Sequence, residues 1–469
     1  MTTALQPLRI TDLPPEILRE IFDYFTDARM DRPGRVDWFY NHSTYADLPE
    51  KRQAVYHSRL VCRRFRDLAN PLLLPTVRVK LEQASLDRLD EISRNAAVAA
   101  SVRGIEVALA SRLRRPAADL LAFITRRKLD ILEDPRRAEI ELAWNEYLAD
   151  PLADDSQLSE YQVLLRESHR EYGRLFRDQE RLLSSGAFVD AIATAASRMP
   201  LFGSLLFDDS DIYAGHLTEE EREAPPLRHR MTSAEKWWTI EATVPGFLPG
   251  HVLADLPIAI DKAGVRLREI GVNCFPMATN WAPVRDPDAL RSACRHLEEV
   301  NYWPLDNTAA GYTISGQRNL HLYLQCVLSG HFMEVLSIDG RGFSGGGTVP
   351  RTVLGPALGT LDGSRLTAVS VEHAAFEQQV WDGFCAGLGS QMEWVSFQYI
   401  RLVDDASWGP SLGVLRQKTA SRCEEAKCTV QLYRLSGGEF AGDGAHVYVT
   451  NWWDLYGKEA FQIPGGTDQ

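Results

Sequence analysis

At 469 residues, with 45% hydrophobic and 25% charged side chains, the chain is long enough for two or three domains and has the composition of a globular protein. A net charge of −13 argues against a nucleic-acid-binding surface, and no run reaches the roughly 18 apolar residues of a membrane-spanning helix. Seven scattered cysteines fit reduced thiols rather than a disulfide framework, and MTTALQPLRI lacks a signal-peptide core, so the expected compartment is cytoplasmic and/or nuclear.

The first element is a short helix. Ile17, Leu18, Ile21, Phe22 and Phe25 recur at helical spacing, Pro14 and Pro15 suit a first helical turn, and Glu16 complements the helix dipole. A second helical stretch opens with Asp47 and Glu50 as a capping box. It carries Val61, Phe65 and Leu68 on one face and stops at Asn70-Pro71, after which Val77, Val79 and Leu81 alternate as a strand. The stretch has too few residues for an independent core. Two readings follow: a helical cap on a larger domain, or a docking module whose apolar face is covered in a complex.

Leu13-Pro14-Pro15-Glu16-Ile17-Leu18, Ile21-Phe22 and Leu60-Val61-Cys62-Arg63-Arg64-Phe65-Arg66-Asp67-Leu68-Ala69 resemble an F-box in the form common among fungal F-box proteins. The resemblance covers 8–81, with an insert at 26–54 that contains Asp37-Trp38-Phe39-Tyr40 where the family has a shorter turn. It implies docking on a Skp-type adaptor and, through it, on the cullin and RING subunits of a ubiquitin ligase. By resemblance, Leu13, Pro14, Ile17, Leu18, Ile21, Phe22, Val61 and Cys62 would contact the adaptor, while Glu16 and Phe65 would support the helices.

Beyond this leader one pattern returns: apolar-x-x-apolar-x-apolar, a half-buried strand entered from an apolar anchor. It begins at Leu74, Val102, Phe202, Leu267, Leu297, Met333, Leu366 and Met392, with a weaker copy around Val430 and Leu432 that has Lys427 at the anchor. From Leu267 the anchors lie 30, 36, 33 and 26 residues apart, near the period of strand–helix solenoids. Helical stretches at 288–296, 320–328, 376–388 and 411–426 fill the intervals. These units resemble the degenerate leucine-rich repeats behind the F-box in many family members, without a consistent asparagine position. An ordinary α/β domain of consecutive units is the alternative.

The expected fold is therefore α/β: a short helical F-box, then an irregular leucine-rich-repeat-like solenoid with a helical insert. The segments are an F-box (8–81), a first strand–helix unit (82–110), a helical insert (111–186), a repeat region (187–435, with a loop insert at 208–262) and a C-terminal cap and tail (436–469). Within the insert, helices are expected over 117–132 and along a stripe from Tyr161 to Leu183, ending at Gly186. LTEEEREAPPLRHR reads as a solvated loop, and Trp237-Trp238 as either a binding hot spot or buried side chains. Arg63-Arg64 and Arg126-Arg127-Lys128 read as solvated helix faces. An unknown protein target would meet the loops and the exposed strand positions Asn273, Asn301, Tyr302, Asp339 and Glu372.

No catalytic residue, metal or cofactor is expected. Gly340-x-Gly342-x-x-Gly345 imitates a dinucleotide fingerprint, but Asp339 separates it from its strand, and Pro350 and Pro356 disturb the helix that would hold a pyrophosphate. Cys423 and Cys428 lack the second pair of ligands that a zinc site requires.

Overall fold

The computed structural model describes residues 10, 13–23, 48–72, 74–132, 134–149, 158–209, 227–235, 237, 249–274, 283–303, 314–340, 354–403, 407–425 and 427–438. Nine strands form one parallel sheet: β1 (Thr76–Lys80), β2 (Gly104–Ala108), β3 (Ser204–Asp208), β4 (Glu269–Val272), β5 (Glu299–Tyr302), β6 (Val335–Asp339), β7 (Ala368–Glu372), β9 (Trp394–Gln398) and β11 (Thr429–Tyr433). The spatial order of these nine strands follows their order along the chain, with β1 and β11 each paired on one side. All nine occurrences of the anchor pattern, the weak one included, thus become neighbouring strands. β1 lies in this sheet, which moves the end of the leader ahead of Thr76. Two short strands, β8 (Ala375–Phe376) and β10 (Arg401–Leu402), form a second parallel ladder.

The alternation of the strands sorts their side chains onto two faces. Val77, Ile105, Leu205, Ile270, Val300, Leu336, Val369, Val395 and Val430 lie side by side in register on one face, with Val79, Val107, Phe207, Val272, Tyr302, Ile338, Val371, Phe397 and Leu432 in a second apolar row. Both rows enter the main core. Seven of the eight apolar anchors, from Val102 to Met392, are buried beside them, and only Leu74 keeps partial exposure. Each large side chain so placed contributes roughly 1.5–3 kcal/mol.

One row of helices covers this face. Gln83–Arg94, Ala187–Ala196, Pro249–Lys262, Pro287–Cys294, Ile314–Val327, Leu354–Leu358, Gln378–Gly387 and Trp408–Glu424 each pack on the next. One such helix lies between each pair of successive sheet strands. Right-handed crossovers combined with an unreversed strand order keep all the helices on one side. A doubly wound sheet reverses its order and carries helices on both faces.

Two expectations are corrected. The loop insert 208–262 contains two helices, Leu227–Thr232 and Pro249–Lys262. The second tolerates Pro257 because Val252, Leu253, Leu256 and Ile260 are buried along it. The end of the supposed solvated loop is helical, with Leu227 and Met231 buried. The helix expected to open near Asp47 and Glu50 runs over Leu48–Val61, opening within the end of the 26–54 insert. The remainder, with Asp37-Trp38-Phe39-Tyr40 and the Asp47 cap, lies outside the described residues.

The helical insert builds a second core. Helices Arg114–Ala118, Leu120–Arg127, Arg137–Ala149 and Glu160–Ser184 bury Phe123, Ile124, Ile140, Trp144, Leu165 and Tyr172. Leu227 and Met231 complete it, so the two interruptions of the repeat array pack on one another. The helix expected over 117–132 is broken at Asp119, whose side chain caps the helix Leu120–Arg127. The long stripe forms the helix Glu160–Ser184, opened by a Ser159–Gln162 capping box and closed near Gly186 at φ +76°.

Candidate functional site

Among the described residues of the N-terminal leader, four side chains form a buried cluster: Leu18, Val55, Phe65 and Ala69. Helix Pro15–Asp23 packs on helix Arg63–Ala69, which follows helix Leu48–Val61 after a break at Cys62. Cys62 caps the third helix, its Sγ accepting from the Phe65 amide at 3.5 Å. Arg59 reaches across the break to the Asn70 side-chain oxygen at 2.9 Å. The single turn Asn70–Leu72 then rests on the helix Ala96–Ala99, which joins the leader to the first strand–helix unit.

So small a core leaves large apolar side chains outside. Ile17 is 41% exposed, Leu60 83% and Val61 59%, with Ile10, Ile21 and Tyr56 also exposed. Of the expected adaptor contacts, Ile17, Ile21 and Val61 are on the surface and Pro14 is exposed beside them. Leu13 and Cys62 are half-buried against the leader core. Leu18 is corrected: at 0% exposure it belongs to that core and has no surface to offer. The side chain of Phe22 lies outside the described residues. Leu60, Tyr56 and Ile10 are the apolar surface residues missed by the sequence reading; Leu60 stood inside the quoted motif.

The face of the sheet opposite the helix row is largely polar. Arg78, Glu106, Leu206, Gly271, Asn301, Ser337, Ser370, Ser396 and Gln431 form one row in register across it. Its side chains bond to one another. Arg78 pairs with Glu106 and with Asp208, the latter at 3.4 Å. Ser204 donates to Glu269, Asn301 Nδ2 to Glu299 at 2.9 Å, and the Trp303 indole to Ser337 at 3.0 Å. Burial pushes the Glu106 carboxyl up to about 7, against the pull of Arg78 and with Asp208 adding to the rise.

Five residues were expected to line a target-binding surface. Asn301, Asp339 and Glu372 do lie on the polar face, and Asn273 follows β4 at its end. Tyr302 is corrected: standing two residues after Val300 in β5, it turns to the helix side, where it is buried in the main core. The expectation of exposure is corrected for two more, since Asn301 and Asp339 are also buried. Only Asn273 and Glu372 keep partial exposure.

No protein-family model matches the chain, and no curated protein matches it. The other candidate constellations resolve as structure. Trp237 is fully buried and donates its indole N–H to the Leu109 carbonyl at 2.7 Å, so it anchors the chain between the two interruptions; Trp238 lies outside the described residues. Arg126 and Arg127 are corrected from a solvated face to a buried network. Both guanidiniums grip the Glu235 carboxylate, Arg126 at 2.7 Å and Arg127 at 2.5 Å. Arg127 also donates to the carbonyls of Arg230 and Ser233 and lies over the Tyr172 ring. All seven cysteines are described and none forms a disulfide. Gly340 closes β6, but residues 341–353, with the remaining glycines of the fingerprint, lie outside the described residues. The tail beyond 438, with Trp452-Trp453, does so too. Among the described residues no helix is long and apolar enough to cross a membrane.

Proposed function

We propose that this chain is the substrate-receptor subunit of a Skp-cullin-F-box ubiquitin ligase. The leader docks on the Skp-type adaptor through Ile17, Ile21, Leu60 and Val61, with Pro14 at the rim. The observation that carries this reading is the pairing of an F-box-like sequence with a core that, among the described residues, buries four side chains and leaves Ile17, Ile21, Leu60 and Val61 exposed. An exposed apolar group of this kind beside a minimal core is what an obligate docking module presents before its partner arrives.

The sheet behind the leader is read as a degenerate leucine-rich-repeat-like array that holds a protein target. Its unreversed strand order and single row of helices support that reading, because stacked units bury what no single unit buries alone. The same order lacks the reversal point at which α/β enzymes bind nucleotides, which disfavours the enzyme reading. The receptor performs no chemistry itself. It positions a target lysine near a charged conjugating enzyme, which is catalysis by proximity.

Size-exclusion chromatography of the chain with a purified Skp-type adaptor tests the proposal. A stoichiometric complex that survives the column, and that recruits the cullin–RING pair only when the adaptor is present, is the expected result. Separate elution of chain and adaptor would leave a repeat scaffold without ligase function.

A further inference from the structure

The C-terminal ends of β6 and β7 bring three metal-ligating side chains together outside the docking face. Asp339 and Glu372 close the two strands and pair in register, so both carboxylates stand on the polar face. His373 follows at φ +51°, a left-handed conformation that few residues with side chains adopt. The turn sets its imidazole against Asp339, with Nδ1 3.1 Å from Oδ1. Tyr399 stacks on the other ring face, centroids 4.2 Å apart and planes within 13°, which fixes the ring's orientation. Gly340 permits this close approach, since a Cβ there would meet the His373 carbonyl oxygen at 2.4 Å.

One ligand atom from each of Asp339, Glu372 and His373 lies within 4.8 Å of the other two. A tetrahedral ion with bonds of about 2.0–2.1 Å needs ligand atoms roughly 3.3 Å apart. The His373–Asp339 separation already meets that distance, and rotation of the half-buried Glu372 side chain closes the rest. Asp339 is fully buried, and its carboxylate lies in register with Glu372 on the neighbouring strand.

We infer that Asp339, Glu372 and His373 bind a divalent transition-metal ion of the zinc type. Carboxylates alone would suit magnesium or calcium, and the imidazole nitrogen turns the preference towards zinc and its neighbours. Three protein ligands leave the fourth position open to water or to a side chain of a bound partner.

The test is titration calorimetry of ZnCl2 into the full-length protein after treatment with EDTA, beside His373→Gln and Asp339→Asn. The parent is expected to bind one equivalent that both variants lose or bind about tenfold or more weakly. Glu372→Gln, at a half-buried position, serves if circular dichroism shows either variant unfolded. Cobalt(II) in the same site is expected to give ligand-field bands without thiolate charge transfer. Absence of binding by the parent, equal binding by a folded variant, or a thiolate band placing the ion on cysteine would each overturn the inference.

Discussion

At the scale of single residues, buried charge is where the sequence was least readable. Arg126-Arg127-Lys128 looks like any solvated basic run, because its partner Glu235 lies more than a hundred residues on, and only the packing of the two interruptions brings them together. Removal of the shared carboxylate takes the bridging anion from two guanidiniums, one of them 1% exposed and left with Asp130 and two backbone carbonyls. Glu235→Ala is therefore expected to lower unfolding free energy by about 3 kcal/mol or more in urea titrations, the usual cost of breaking a buried pair. Glu106 carries a different signature. Its carboxyl is raised to about 7 when folded, so the folded state holds a proton that the unfolded chain has released above its ordinary value near 4.5. That contribution is full below about pH 4.5 and is lost as the pH rises to about 7. Urea titrations at pH 5 and pH 7.5 should show the parent losing about 2–3 kcal/mol across this window, and Glu106→Gln losing that much less. A variant with the parent's pH dependence would assign the effect to another group.

At the scale of elements, periodicity spoke clearly wherever burial has a period. Nine strands were legible because one face is packed, and the long helix because Leu165, Tyr172 and Leu182 recur on its buried side. Parity was legible too, yet Tyr302 was placed on the wrong face, although the buried Val300 two residues before it fixes that face. Helix Pro249–Lys262 was hidden by Pro257 and by the acidic loop ahead of it; its burial, set by the neighbouring helices, outweighs the lost hydrogen bond. The turns were not legible at all. β7, β9 and β11 are each followed by a left-handed residue, at His373, Tyr399 and Arg434, and no shared residue type marks the position. In the leader the motif was legible but not the division of labour inside it. Leu18 and Ile17 are neighbours with opposite duties, one in the core and one in solvent. Leu18→Ala is expected to cost about 2–5 kcal/mol and to melt the leader, seen as loss of helical signal and early proteolysis before residue 76. Ile17→Ala should leave stability within about 0.5 kcal/mol. Equal stability losses at the two positions would contradict the assigned core.

At the scale of the whole molecule, the order of the strands organises everything else. A sheet in which each strand meets only its sequence neighbours grows by addition, so long excursions can leave it and return without disturbing the register. The 111–186 insert does this between β2 and β3, and helix Leu227–Thr232 joins it from the following connection. The leader sits at the opposite kind of place, before the first strand, tied to the array through the turn Asn70–Leu72. Among the described residues it holds a core of four buried side chains beside a larger set of exposed apolar ones. The most direct measurement is the affinity of a purified Skp-type adaptor for the full-length chain, beside the triple variant Ile17→Ala/Ile21→Ala/Val61→Ala, with circular dichroism to verify folding. The account predicts binding by the parent and a loss of about thirtyfold or more in the folded variant, the effect of removing interface anchors worth about 2 kcal/mol or more. No binding by the parent, or undiminished binding by the variant, would contradict it.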